Sequence, residues 1–124
     1  MVKGTFEAVI GMTLDPQFGP LLMVGLGGIY VELLKEVAFR VAPFDRSEAR
    51  RMIAETHAGK LLSGLRGQPP ADGEAVIDVI LRIAQLALDH PQIQEIDVNP
   101  LMVYPAGVAP GALAVDVRMV LGMD

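Results

Sequence analysis

The chain has 124 residues, enough for one domain with a real core. Its net charge is −5, from Lys+Arg 10 against Asp+Glu 15, and no basic stripe runs along any segment, which argues against nucleic acid as a partner. Cysteine is absent, so disulfides and thiol chemistry are excluded, while 52% hydrophobic residues and a mean hydropathy of +0.42 mean either an unusually complete core or apolar surface covered by another chain, the second predicting self-association.

The start Met1-Val2-Lys3-Gly4-Thr5-Phe6-Glu7 places an acid where a signal peptide needs an apolar region. The longest uncharged run, Phe18 to Val31, carries four glycines and is too short for a bilayer, which takes roughly 20 apolar residues. A soluble cytoplasmic protein is the expectation. Residues 5–14 alternate, with Phe6, Ala8, Ile10 and Met12 on one face and Thr5, Glu7, Val9 and Gly11 on the other: a half-buried strand. Asp15-Pro16-Gln17-Phe18-Gly19-Pro20 reads as a turn. Leu21–Val24 reads as a short strand buried on both faces.

Gly25-Leu26-Gly27-Gly28 suits either a hairpin turn or bulge, or a phosphate cradle, though it lacks the lysine and Ser/Thr of a P-loop. Residues 29–41 fit strand better than helix; Val31, Leu33, Val37, Phe39 and Val41 then share a face, with Glu32, Glu36 and Arg40 on the other. Pro43 closes that element. Asp45 and Glu48 form a capping-box pattern, opening a short helix to about His57 with Ala49, Met52, Ile53 and Thr56 as its buried stripe. A glycine- and proline-rich connector, 58–71, leads to a second helix over 73–89, capped by Asp72. Its stripe is Ile77, Ile80, Leu81, Ala84, Ala87 and Leu88, widened by Val76 and Ile83. His57 and His90 sit near helix C-termini, where the helix dipole explains them better than a metal does.

Two further strands complete the chain. In Glu95-Ile96-Asp97-Val98-Asn99-Pro100-Leu101, alternation sets Glu95, Asp97 and Asn99 on one face. In Ala114-Val115-Asp116-Val117-Arg118, Asp116 and Arg118 share a face opposite Leu113, Val115, Val117 and Met119. The turn-rich link 104–111 makes them a hairpin. Up to three carboxylates, an amide oxygen and a guanidinium then share one surface. Such oxygens suit Mg²⁺, which takes one or two carboxylates plus substrate phosphates, and arginine can fork onto phosphate. An ordinary solvated polar face with an Asn-Pro turn fits the same spacing. The predicted fold is α+β: one mostly antiparallel sheet with two helices on one face, forming a single domain without repeats.

Five stretches come in one order: Asp15-Pro-Gln-Phe-Gly-Pro20, Gly25-Leu-Gly-Gly-Ile-Tyr-Val-Glu32, Leu61-Leu-Ser-Gly-Leu-Arg-Gly67, Glu95-Ile-Asp-Val-Asn-Pro-Leu101 and Asp116-Val-Arg118. The series resembles the C-terminal part of the ATP-grasp domain of ADP-forming acyl-CoA synthetases, relatives of the succinyl-CoA synthetase β subunit. The resemblance implies reversible conversion of acyl-CoA, phosphate and ADP into acid, CoA and ATP through an acyl phosphate and a phosphohistidine. It implies Mg²⁺ ligands at Asn99 and Asp116, with Asp97 nearby, and Arg118 toward the ATP/ADP phosphates. Departures accompany it. The lobe carrying the phosphate loop, nucleotide lysine and adenine hinge is not in this sequence, nor is the CoA-binding domain or subunit. Neither histidine matches the phosphorylated one, and Leu65 replaces a usual aromatic. The expectation is therefore one lobe of a ligase, inactive alone and needing a complementary ATP-grasp lobe. The alternative is a non-catalytic interaction or regulatory module derived from such a ligase or from a ligase–acetyltransferase fusion.

Overall fold

The computed structural model describes residues 5–26, 37–56 and 70–122. In chain order the elements are strands β1 (Phe6–Asp15), β2 (Gly19–Leu26) and β3 (Val37–Val41), helices α1 (Arg46–Ala54) and α2 (Gly73–Asp89), then strands β4 (Ile93–Val103), β5 (Ala112–Ala114) and β6 (Val117–Leu121). The strands form one antiparallel sheet in the order β3-β2-β1-β4, with β5 and β6 in succession along the outer edge of β4. The α+β class read from the sequence is the observed one.

Local chemistry sets the boundaries. Asp15 Oδ1 accepts from the backbone N–H groups of Gln17 and Phe18, at 2.8 and 2.9 Å, and folds the β1–β2 turn. Asp45 caps α1 by accepting from Glu48 N–H at 2.8 Å. The capping box is only half formed, because the Glu48 carboxylate turns to Arg40 and Arg51 instead. Helix α1 ends at Ala54, short of the predicted His57, which lies outside the described residues. Thr56 Oγ1 donates to Ile53 O and is buried there. Asp72 caps α2, and its bounds match the predicted ones.

The core lies between the helices and one sheet face. Ile10, Met12, Leu22, Val24, Ile96, Val98, Leu101 and Val103 meet Met52, Ile53, Val76, Ile77, Ile80 and Ala84. Full burial of each large aliphatic side chain contributes about 1.5–3 kcal/mol. Leu88, expected in the α2 stripe, is exposed at 37%.

Three features add to or depart from the simple strand patterns of the sequence. Val9 and Gly11 are buried although they face away from the helices, so the middle of β1 is covered on both faces. In β3, Val37, Phe39 and Val41 do share a face, but it is the one away from the helices; Phe39 and Val41 are about half exposed, and Ala38 makes the core contact. Arg40, on the helix side, bonds Glu48 of α1 at 2.6 Å and also pairs with Glu55. The third departure is a bulge in β4. Ala8 pairs with Leu101 and Ile10 with Val98, so Asn99 and Pro100 together oppose Val9. The extra residue resets the alternation, and both Val98 and Leu101 reach the core. Proline, with no N–H to give a ladder, is at home in a bulge.

Candidate functional site

The bulge and the outer edge of β4 organise the polar surface. Val98 pairs with Val117 and Leu101 with Ala114. That unbroken register leaves Asn99 opposite Asp116 and Pro100 opposite Val115. Asn99 N–H donates to Asp116 O at 3.0 Å, and Val115 N–H donates to Pro100 O at 3.1 Å. The predicted last strand is thus two pieces, with Asp116 at the break between β5 and β6. Next along the sheet, Asp97 pairs with Arg118, and Glu95 with Val120. Leu113, Val115, Val117 and Met119 do not form the buried side of this hairpin; all are 46% exposed or more.

All four predicted site residues therefore fall on neighbouring register positions of one hairpin. Asn99, Asp116 and Arg118 are exposed and Asp97 is half-buried. The six ion pairs of the described residues lie on the helix side of the molecule and involve none of Asp97, Asp116 or Arg118. Arg40 has its pKa raised by the hydrogen bonds it donates to Glu55 and Glu48, and Glu48 and Glu55 are lowered mainly by Arg40. Those charges are satisfied within the fold, whereas the hairpin charges face outward.

Among the described residues no group of three or more His, Asp or Glu side chains is close enough to hold a metal by itself. Mg²⁺ is usually held by one or two protein carboxylates, with phosphate oxygens and water completing its coordination. Asn99 supplies an amide oxygen and Asp116 a carboxylate, both hard donors suited to that ion.

Beside this hairpin, on the sheet face away from the helices, lies a cleft of about 340 Å³. One wall is charged: Glu95 and Asp97 of β4 and Arg118 of β6. The other is apolar: Leu21 and Met23 of β2, Val37 and Phe39 of β3. Gly11 and Thr13 of β1 lie between them. Reading the sequence for carboxylates missed the apolar wall and Gly11. The signal present was a glycine in the middle of an otherwise regular strand pattern. The Gly25–Gly28 motif is split: Gly25 is a paired residue of β2, and Gly27 and Gly28 lie outside the described residues, as do Lys60 and Arg66 of the connector. His90 is the C-cap of α2, its backbone N–H donating to Leu86 O. No helix among the described residues is long and apolar enough to cross a membrane.

An antiparallel sheet with helices on one face and outward hard donors beside a cleft on the other is the layout of one wall of a ligand site. The chain belongs to the ATP-grasp domain family, whose model matches residues 1–121. It is 52% identical over its whole length to acetate–CoA ligase [ADP-forming] I of Archaeoglobus fulgidus, of which it spans 18%. It is 50% identical, over 93% of its length, to acetate–CoA ligase [ADP-forming] I subunit beta of Pyrococcus furiosus, of which it spans 48%. Among solved structures, 94% of the chain superposes with a TM-score of 0.85 and 45% identity on 53% of a chain of dinucleotide forming acetyl-coenzyme A synthetase 1 from Ca. Korarchaeum cryptofilum. That synthetase is in complex with coenzyme A and Mg-AMPPCP, with a phosphohistidine segment pointing towards the nucleotide binding site. The chain thus spans about half or less of the length of these relatives.

Proposed function

We propose that this chain is the C-terminal lobe of the ATP-grasp domain of an ADP-forming acyl-CoA ligase, folding as a single domain over residues 1–124. It supplies the Mg²⁺-nucleotide phosphate side of the cleft for phosphoryl transfer between nucleotide and a phosphohistidine or acyl phosphate. The observation that carries this reading is the register that sets Asn99 opposite Asp116 next to Asp97 opposite Arg118. Asn99 and Asp116 would hold the ion, with Asp97 beside them, and Arg118 would fork onto a phosphate. When bound, the ion would neutralise charge on the transferring phosphoryl group. The lobe's own contribution is to position: the bulge fixes Asn99, and the β5–β6 break fixes Asp116. Activity requires the opposite wall, a complementary ATP-grasp lobe, and a CoA-binding domain or subunit, because half of an electrostatic constellation forfeits most of its catalysis. Nucleotide and CoA substrates fit a cytoplasmic setting.

The test is titration of ¹⁵N-labelled chain with Mg²⁺-pyrophosphate, followed by amide shifts. Shifts at Asn99, Asp116 and Arg118 that need both metal and phosphate are expected, and Asp116→Ala should abolish them. Absence of any response there in the wild type overturns the reading. One observation favours a second role as an interaction module. Val117, Met119, Val120 and Leu121 are all 45% exposed or more on β6, whose only strand partner among the described residues is β4.

A further inference from the structure

The apolar face of the sheet runs on past the helices. Ile93, Ile96 and Val98 of β4 are buried in the core. Their register partners on β6 are Leu121, Met119 and Val117, which share the same, helix-bearing face of the sheet. Yet these three are about half exposed. The helical cover lies over the other strands: α1 packs on β3 and β2, and α2 on β2, β1 and β4.

Two contacts fix which flank of α2 looks toward β6. Glu74 and Asp78 pair with Arg46, which sets them on the α1 side. Ala75 lies on the other side, against Gly111 of the β4–β5 loop, where a Cβ would come within 3.0 Å of Ala75 Cβ. Val79, Arg82 and Leu86 follow Ala75 at helical spacing and line that same flank. Val79 is half-buried, while Leu86 and Arg82 are exposed. The result is an open ledge. Val117, Met119 and Leu121 form its floor, Val79 and Leu86 its wall, and Arg82 its rim. Arg82 belongs to none of the ion pairs of the described residues, whereas Arg40, Arg46, Arg50 and Arg51 on β3 and α1 are all paired.

The dimensions select the occupant. Packed helices lie about 8–10 Å apart and strands about 4.8 Å apart, so a helix beside α2 has its axis above β6. A second sheet needs a flat face, and α2 rises beside this one. The floor is roughly 13 Å long at about 3.4 Å per residue step, which matches about two and a half turns of helix. The unpaired guanidinium at the rim calls for a carboxylate. We propose that this ledge is the docking site of an amphipathic helix from a partner polypeptide, with its apolar stripe on β6 and α2 and an acidic residue facing Arg82. The inference goes beyond the phosphoryl-transfer reading and does not rest on it. It concerns a side-chain face of β6, separate from the backbone edge of that strand.

The experiment uses ¹⁵N-labelled full chain and two synthetic peptides of alanine and leucine, stapled as helices. Both carry one leucine stripe at i, i+4 and i+7. They differ only in the residues flanking it, glutamate in one and lysine in the other. The net charge of −5 favours the lysine peptide over most of the surface, so a preference for glutamate has a local cause. The glutamate peptide should move the amides of Val79, Arg82, Leu86, Val117, Met119 and Leu121. It should bind about fivefold tighter than the lysine peptide, as one exposed ion pair allows. Arg82→Glu, at an exposed position, should keep the fold and reverse that order. Met119→Lys should weaken both peptides. Three results overturn the inference: neither peptide moving these amides, equal affinity of the two for the wild type, or an order unchanged in Arg82→Glu. Shifts at Val79 and Leu86 on concentrating the chain alone would give the ledge to a second copy, and would equally overturn it.

Discussion

Asn99 and Asp116 face each other across the β4 edge, tied by a backbone bond of 3.0 Å from Asn99 N–H to Asp116 O. Directly opposed residues of an antiparallel pair have Cα atoms about 5 Å apart. Side chains so placed can share one small ion with ligand distances near 2.1 Å. The tie is made by backbone atoms, so it survives changes of either side chain. Substitution of either side chain can therefore test its proposed role without breaking this tie.

Asp116→Asn and Asn99→Ala should each leave thermal stability within about 0.5 kcal/mol, because both residues are exposed. Both should remove the metal-dependent part of the response to Mg²⁺-pyrophosphate. Circular dichroism melting beside the amide titration checks the pair. A large loss of stability in either variant would assign these side chains a structural role instead.

The parts of the fold legible in the sequence are those set by short-range chemistry. Asp15, Asp45 and Asp72 each bond a backbone N–H two or three residues on, and the sequence shows both partners. The α2 stripe follows from period 3.6 alone. What could not be read depends on partners distant in sequence. The bulge at Asn99-Pro100 exists only relative to Val9, and it is the device that carries Leu101 to the core face with Ile96 and Val98, where the sequence reading already set it. Which face of β3 looks inward depends on where the helices lie, so Phe39 on the outer wall was not foreseeable. The site hairpin was legible because all its residues lie within one local pairing. The apolar wall facing it comes from β2 and β3, and no local pattern links them.

The hairpin loop is pinned to the start of α2, and Gly111 packs against the α2 cap without room for a side chain. Tyr104 O accepts from Asp72 N–H at 2.9 Å, and Tyr104 N–H donates to Gly111 O at 2.8 Å. Gly111 has φ +84°, and a Cβ there would lie 2.7 Å from Asp72 Oδ2 and 3.0 Å from Ala75 Cβ. Gly111→Ala should cost roughly 1–2 kcal/mol for the backbone alone, with the collision against the α2 cap added. Gly107 has φ +88° and open space around it, so Gly107→Ala should cost less. Urea denaturation of the two variants checks the order. Equal losses would show that the loop is not seated on the helix.

Acid should loosen the join between β3 and α1. Arg40 holds the carboxyls of Glu48 and Glu55 below their ordinary value, and Arg50 does the same, with Arg46, for Glu74. A depressed folded-state pKa means the stabilisation is complete above the unfolded value, near 4.3, and disappears as pH falls through the lowered folded value. The melting temperature should therefore fall as pH drops from about 5 toward 2–3. Arg40→Met should flatten that limb, and so should 1 M salt, which cuts the screening length to about 3 Å. An acid limb unchanged in Arg40→Met would place its origin elsewhere.

The outer edge of the sheet predicts self-association. Strand β6 pairs only with β4 among the described strands, so its outer backbone groups have no strand partner there. Its side chains are apolar except for Arg118, with Val117 at 51%, Met119 at 46% and Leu121 at 59% exposure. An exposed apolar edge is a template for another strand, and soluble proteins commonly protect such edges with lysine or proline. Two copies can satisfy each other by antiparallel β6–β6 pairing about a two-fold axis, which is self-complementary and closes. Sedimentation at micromolar concentration should show a dimer. Val117→Lys with Met119→Lys should convert it to a monomer without lowering the melting temperature of the monomeric unit, since neither side chain enters the core. The wild type should also lose the dimer when a complementary lobe that covers this edge is supplied. A strict monomer at all concentrations would sink the prediction, and a dimer untouched by the lysines would move the contact to the apolar wall of the cleft around Phe39.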